Sequence, residues 1–278
     1  MPSRLDMAGM PILWPEALQE RLPIPARKLL EKQQTKVGRD WTVVSSSPFG
    51  TEVTYDEFLH AWLLVNSRSF YHVTKRTEKL PPDDRMVLQP VADLFNHTAT
   101  GGCEVSFDDK GFTVVAGRDH AKGEEVFISY GRHPNDFLLV EYGFFLDENE
   151  WDEVSLDEAI LKSLGPTQKE VLNEKGYLGE YFVDRRTVCY RTEVVARLLC
   201  YSTRDWYGFV DGGVDDGAEE KVERVVETFL KGALEGAERV VGEFRMVRTG
   251  EKAQRDVLRR RWVQIRDSLA KILEDRQE

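Results

Sequence analysis

Gly123-Glu-Glu-Val-Phe-Ile-Ser-Tyr-Gly131 is the stretch on which the reading of this chain turns. Leu88-Gln-Pro-Val-Ala-Asp-Leu-Phe-Asn-His97 precedes it, and Leu138-Leu-Val-Glu-Tyr-Gly-Phe144 follows. A shorter run, Val65-Asn-Ser-Arg-Ser-Phe70, lies upstream of all three. Polar and aromatic residues are therefore concentrated between 66 and 144. Each run alone has an ordinary explanation. Asn96-His97 suits a turn with a hydrogen-bonded core histidine. Tyr130 suits a strand end whose hydroxyl reaches water. Arg68 suits a surface residue paired with a carboxylate.

Working outward, the period of the sequence changes around these runs. Cys103-Glu-Val-Ser-Phe and Phe112-Thr-Val-Val, joined by Asp108-Asp-Lys-Gly, predict a β-hairpin. Val126 to Tyr130 reads as a further strand, and Asn135 to Tyr142 as a short helix stopped by Gly143. Upstream, Thr54 stands three residues before Glu57, a capping-box spacing, and Phe58, Trp62 and Val65 continue with helical period. Residues 11–40 read as two short helices opened by prolines, and Ser45 to Gly50 and Lys79 to Asp84 as loops. After Asp147 the chain turns mostly helical: Leu156 to Leu164, Thr192 to Cys200, and two long amphipathic helices near 218–247 and 251–275. Their apolar stripes, Val222 to Leu234 and Leu258 to Ile272, predict helices packed in one core. Val171 to Val183 reads as a turn and an extended piece, and Asp211 to Gly217 as a Gly-rich loop.

The 278 residues are 41% hydrophobic, enough for one or two packed cores. Net charge is −11, from 49 acidic and 38 basic residues. An acidic surface repels phosphate backbones and disfavours direct nucleic-acid binding, while leaving a Lys-rich protein attractive. No run reaches the roughly 20 apolar residues that span a bilayer, and Met1 to Met10 has no apolar signal core. Three scattered cysteines, Cys103, Cys189 and Cys200, fit free thiols better than a disulfide framework and lack the close pairs of a zinc site. The sequence also contains no Gly-x-Gly, no Walker A run, no Gly-x-Ser-x-Gly and no His-x-x-x-His. Dinucleotide folds, P-loop enzymes, α/β-hydrolases and helical zinc hydrolases are thereby disfavoured.

Taken in order and together, the Asp-Leu-Phe-Asn-His, Gly-Glu-Glu-Val-Phe-Ile-Ser-Tyr and Glu-Tyr-Gly-Phe runs resemble the signature segments of the SET-domain protein-lysine methyltransferases. The chain is most similar to the class of the Rubisco large-subunit methyltransferases. The resemblance implies an α+β fold: the C-terminal portion of the SET β-fold with a helical insert (residues 1–66), the SET segment proper (67–147), and an all-helical, substrate-binding-like domain (148–278). The family's N-terminal SET segment, with its Gly-x-Gly turn, has no counterpart here. An active enzyme therefore stands beside two alternatives, a catalytically impaired SET-derived module that binds a protein and a truncated gene model.

The same resemblance implies S-adenosylmethionine as methyl donor and a protein lysine as acceptor, with no metal. It implies Tyr130 as the catalytic tyrosine and Arg68, Asn96, His97 and Tyr142 as cofactor contacts. Ser67, Phe70, Asp93 and Phe144 would line the lysine channel. The expected partner is a ribosomal or other non-histone protein, with neither direct nucleic-acid nor membrane binding. The expected location is the nucleus, the cytoplasm or both. The chemistry is consistent with those residue types. Free lysine has a pKa of about 10.4, and a narrow aromatic channel desolvates the ammonium and favours the neutral amine that attacks.

Overall fold

The structure, a computed structural model, describes residues 3, 7–48, 50–81, 84–108, 111–213 and 219–276. The expected hairpin turn at 109–110, parts of the loops around 49 and 82–83, and most of the Gly-rich loop after Gly213 lie outside the described residues. The chain divides into two compact bodies, one formed by 1–13 with 28–151 and the other by 14–27 with 152–278.

Helices α1 (Glu16–Gln19) and α2 (Ile24–Ser45) open the chain. The expectation of two short helices over 11–40 is corrected here, because α2 runs unbroken for 22 residues. Leu30, Gln33 and Val37 form its buried row, at helical spacing. A glutamine in that row hides the stripe from a hydrophobicity count. Its amide is accommodated by the Val140 carbonyl at 3.4 Å and the Glu141 carboxylate at 3.3 Å.

In the first body, α3 (Tyr55–Arg68) begins at the expected capping box. Glu57 N–H donates to Thr54 Oγ1 at 3.3 Å, and Thr54 N–H donates back to the Glu57 carboxylate at 2.9 Å. The helix buries Leu59, Trp62 and Leu63 against Val37, Met7 and Met10. The Trp62 indole donates to Asp40 at 2.9 Å. Short strands follow. β1 (Ser69–Tyr71) pairs antiparallel with β2 (Met86–Leu88). β3 (Asn96–His97) is paired with a later segment, described below. The predicted hairpin forms from β4 (Glu104–Asp108) and β5 (Gly111–Val115), with Phe107 opposite Phe112. β6 (Phe127–Ile128) pairs in parallel with β3, Asn96 opposite Phe127 and His97 opposite Ile128. Helix α4 (Asn135–Tyr142) ends where predicted, with Gly143 left-handed at φ +82° and its N–H on the Leu139 carbonyl at 3.0 Å.

Among its described residues the second body is mainly helical, with a two-stranded pairing of β7 (Val154–Ser155) with β8 (Phe182–Val183) and a single bridge from Val183 to Val188. Between those strands lie α5 (Asp157–Ser163) and α6 (Pro166–Glu174). The stretch read as turn and extended piece is thus a helix through Glu174 followed by a strand. Pro166 at the first helical position and Gln168 reaching back to the Gly165 N–H at 2.8 Å start that helix. Then come α7 (Tyr190–Cys200), α8 (Thr203–Val210), α9 (Glu219–Glu243) and α10 (Lys252–Asp275). The two long helices form as predicted. Val222, Val226, Phe229 and Leu230 share one core with Ile265, Leu269 and Ile272 of α10 and with Val194 and Val195 of α7. Trp206 of α8 is fully buried there, its indole donating to the Val194 carbonyl at 2.9 Å.

A fully buried cation is carried into this body. Arg261 of α10 is fully buried, and its guanidinium forks onto Asp152 at 2.7 and 3.1 Å. Bidentate geometry is what makes such burial tolerable. Asp152→Ala leaves that arginine without its main anion and should lower unfolding stability by ~3–5 kcal/mol in denaturant melts. The double variant Asp152→Leu/Arg261→Met should lose much less.

Candidate active site

The β3–β6 pairing places the Asn96-His97 run beside the end of the Ile128-Ser-Tyr130 run. Ile128 is almost fully buried and is bridged on its other side to Cys103. Thr98 N–H donates to the Ile128 carbonyl at 3.0 Å, and Cys103 N–H to the Phe127 carbonyl at 2.8 Å. Just past this strand, Tyr130 N–H donates to His97 Nδ1 at 3.0 Å. The Tyr130 hydroxyl donates to the Phe95 carbonyl at 2.7 Å.

Four rings then meet. His97 stacks on Tyr130 with centroids 5.1 Å apart, Tyr142 lies 5.1 Å from Tyr130, and Phe144 stands edge-on to Tyr130 at 6.4 Å. Gly143 makes the turn that lets Tyr142 and Phe144 face the same group. A Cβ there would sit 2.9 Å from Met10 Cγ. Beside the rings is a cavity of about 500 Å³, in the usual range for small-molecule sites. Eight of the nine expected site residues line it: Ser67, Arg68, Phe70, Asp93, Asn96, Tyr130, Tyr142 and Phe144. His97 is not on the lining; it sits behind Tyr130 and holds that residue's backbone.

Electrostatics set the protonation states. Burial pushes the Tyr130 phenol up, with Arg68 opposing and Asp93 adding. Burial also pushes Tyr142 up, to about 12, helped by Glu141 and Tyr130. Both are neutral phenols at physiological pH. Burial lowers the His97 imidazole, so it is neutral too and presents Nδ1 as an acceptor.

Two expected residues are engaged within the chain. Arg68 Nη1 donates to the Asp93 carbonyl at 2.9 Å and to its carboxylate at 3.2 Å. That leaves Nε and Nη2 outside the pair. The other Asp93 oxygen, Oδ1, is buried with no hydrogen-bond partner among the described residues. The Asn96 side chain is exposed and donates to Glu125 at 2.5 Å.

The cavity also draws on residues that sequence reasoning passed over. Phe112 meets Phe70 edge-on at 5.1 Å, and Phe107, Tyr71, Met7 and Met10 share the lining. Phe107 and Phe112 stand opposite each other in the hairpin. Same-face aromatics on a predicted hairpin were a usable signal for a wall.

With this geometry in place, comparison with known proteins gives a consistent answer. Residues 16–131 match the SET domain, and residues 152–275 match the family described as the Ribosomal lysine N-methyltransferase 2 C-terminal domain. Along the chain, a match to the SET domain is thus followed by a match to a ribosomal lysine methyltransferase C-terminal domain. It is 28% identical over 250 residues to Ribosomal lysine N-methyltransferase 2 of Saccharomyces cerevisiae, covering 73% of this chain and 51% of that protein. It is 31% identical over 183 residues to Ribosomal lysine N-methyltransferase set11 of Schizosaccharomyces pombe, covering 65% and 45%. The chain thus spans about half the length of these curated relatives. Among solved structures, Rubisco LSMT bound to AdoMet shares its fold with a TM-score of 0.52 at 18% identity, over 96% of this chain and 66% of that one. The α+β architecture expected from the sequence is the one observed.

A half-buried acid, Glu141, stands next to Tyr142. Burial raises Glu141, with the Gln33 hydrogen bond and Lys36 acting against it. An acid raised in the folded state contributes stability fully below its unfolded pKa, near 4.5, and loses it as pH rises through the folded value. Glu141→Gln removes that loss. Relative to wild type, the variant's melting temperature should therefore climb between pH 4 and pH 8, as followed by parallel thermal melts. A flat difference across that range would show that ionisation of Glu141 does not load the fold.

Proposed function

We propose that this chain transfers a methyl group from S-adenosylmethionine to the ε-amine of a lysine in a protein. The single observation that supports this most is the convergence of Tyr130, Tyr142 and Phe144 on one cavity wall. Those rings come from two separate sequence runs, and Tyr130 is braced from behind by His97.

The residues present fit the methyl donor. The cavity, about 500 Å³, has the size of a small-molecule site. It offers aromatic faces to a cation, and the guanidinium of Arg68 beside the Asp93 carboxylate. Arg68, Asn96 and Tyr142 would hold the donor, with His97 fixing the strand beside it. When bound, S-adenosylmethionine supplies an electrophilic methyl group on a sulfonium.

The chain's own residues supply the rest. A lysine must reach the reaction neutral, and Phe70, Phe112 and Phe144 give its stem an apolar passage in which the charged form is disfavoured. The Asp93 carboxylate, beside the cavity, attracts the ammonium at longer range. Tyr130 stays protonated, and because its proton is committed to the Phe95 carbonyl, its oxygen lone pairs are left as acceptors for weak C–H···O contacts. Those contacts are small, so alignment of amine and methyl carries most of the acceleration. The relatives are named for ribosomal lysine methylation, and the acidic balance of this chain suits a basic partner. A ribosomal protein is therefore the proposed substrate, with residues 148–278 helping to hold it.

Purified chain, incubated with radiolabelled S-adenosylmethionine and a set of ribosomal proteins, should yield label in methyl-lysine on acid hydrolysis. Tyr130→Phe should abolish the label while calorimetry still detects cofactor binding. Label in methyl-histidine would refute the lysine assignment. No transfer and no binding at millimolar cofactor would leave a SET-derived binding module.

A further inference from the structure

Tyr130 is gripped at both ends of its backbone by imidazoles. Its N–H donates to His97 Nδ1, as described above. Its carbonyl lies 3.2 Å from His133 Nε2, and since a carbonyl only accepts, the histidine is the donor. We infer that His133 is a positioning residue for methyl transfer, acting through the backbone of Tyr130. This rests on the reading of Tyr130 given under the proposed function.

The chain around His133 is built for this contact. Gly131 stands between the two residues at φ +134°, a conformation that disfavours other residues. A Cβ on it would fall 2.4 Å from His133 Nε2, inside the space the imidazole occupies. The glycine therefore lets the ring fold back beneath the Tyr130 carbonyl. The ring is then held flat: it stacks on Phe137 of α4 with centroids 4.1 Å apart and planes 18° from parallel. The His133 carbonyl accepts from Asn149 Nδ2 at 2.9 Å, and the same amide donates to Asn135 Oδ1 at 3.0 Å. Asn135 is fully buried and clasps both backbone groups of Leu146, at 2.9 and 3.2 Å. His133 thus ties the carbonyl side of Tyr130 to the start of α4 and to the segment after Phe144, while His97 ties the N–H side to β3.

A donor at this point fixes the peptide from which the Tyr130 ring departs. The ring must put its hydroxyl on the Phe95 carbonyl and its edge toward Tyr142. Loosening the peptide moves the hydroxyl without altering any group on the binding surface, because His133 is not on the cavity lining. The expected signature is a change in turnover rather than in affinity. Neutral and protonated His133 both carry Nε2–H, so the contact does not depend on pH.

The test compares His133→Leu, His133→Asn and His133→Gln in the full chain. Gln carries its amide near the place of Nε2; Leu has no donor and Asn falls short. Turnover in the Leu and Asn variants should fall roughly ten- to a hundredfold, with KM for both substrates within about twofold of wild type. The Gln variant should recover most of the loss. A Leu variant with wild-type turnover would overturn the inference. So would equal losses in all three variants, or a change confined to KM. The Asn variant keeps the comparison open should Leu fail to fold. A second readout needs no activity. In protein labelled at tyrosine Cζ, with the Tyr130 resonance assigned by Tyr130→Phe, wild type and Gln should coincide, while Leu and Asn should shift. Unchanged Tyr130 resonances in folded Leu and Asn variants would also overturn it. If wild type transfers no methyl, the proposed function fails, and the resonance comparison still decides whether His133 positions the ring.

Discussion

The parallel pairing of Asn96-His97 with Phe127-Ile128 is the constraint on which the site depends. It is only two residues long on each side. Parallel strands need a long crossover, and here the crossover is the segment 98–126, which carries the β4–β5 hairpin and its Phe107–Phe112 pair. One short ladder therefore does two things. It sets His97 behind Tyr130, and it places the hairpin in the chain where its aromatic face can wall the cavity. Without it, Tyr130 would be a strand-end tyrosine with no fixed direction. So short a ladder supplies little stability alone, and its register is secured by neighbours: Cys103 on the far side of Ile128, and the Thr98 and Cys103 amides on the flanking carbonyls.

A second constraint acts on the helix side. α4 is apolar enough that Leu138, Leu139 and Val140 are fully buried, and this fixes its rotation. Glu141 and Tyr142 follow immediately, so burial of the three aliphatics forces both polar groups into partly desolvated positions. For Tyr142 that is useful, because a phenol held neutral offers an aromatic face and a hydroxyl without a charge. Glu141 is a strained consequence of the same rotation, softened by Gln33 from α2. The left-handed Gly143 then reverses the chain before Phe144. Three features of adjacent residues (apolar burial, desolvated acid and phenol, and glycine turn) thus follow from one helix packing choice.

What could be read in the sequence was what short-range physics writes there. The Thr54–Glu57 capping box, the Gly143 stop and the stripes of α9 and α10 each depend on spacings of three or four residues, and each formed as predicted. The length of α2 was illegible because Gln33 occupies a core position, and its Nε2 finds the Val140 carbonyl and Glu141 more than a hundred positions away. The buried Arg261 was illegible for the same reason: its partner Asp152 is distant in sequence, and a run of arginines reads as a wet helix face. The strands β1, β2, β3 and β6 are two or three residues long, too short for a period-two signal. Of these, only β6 is expected from the sequence, inside the β-rich run Val126 to Tyr130; β1, β2 and β3 are not. The cavity residues follow the same division. Those inside the signature runs were named; Phe107 and Phe112 carried a weaker signal, as opposed aromatics of a predicted hairpin, and Met10 enters the wall through packing that no local pattern encodes.

The pairing of Arg68 with Asp93 shows how the plain and the functional readings of one residue combine. As a surface arginine seeking a carboxylate, Arg68 finds one, with 28% of its side chain exposed and 13% of its partner's. As a cavity residue, it uses Nη1 alone for that pair. The consequence falls on Asp93. One carboxylate oxygen is held by the arginine, and the other is buried without a donor among the described residues. A buried, half-satisfied carboxylate is unfavourable unless something cationic completes it. Asp93 lines the cavity together with Tyr130 and Tyr142, but this oxygen has no accessible surface, so the deficit lies behind the wall. Its charge is felt through the wall all the same: Asp93 adds to the upward push on the Tyr130 phenol, and the Arg68 it holds opposes it. The two charges of the pair thus partly cancel at the Tyr130 hydroxyl, which leaves desolvation as the main reason that phenol stays neutral.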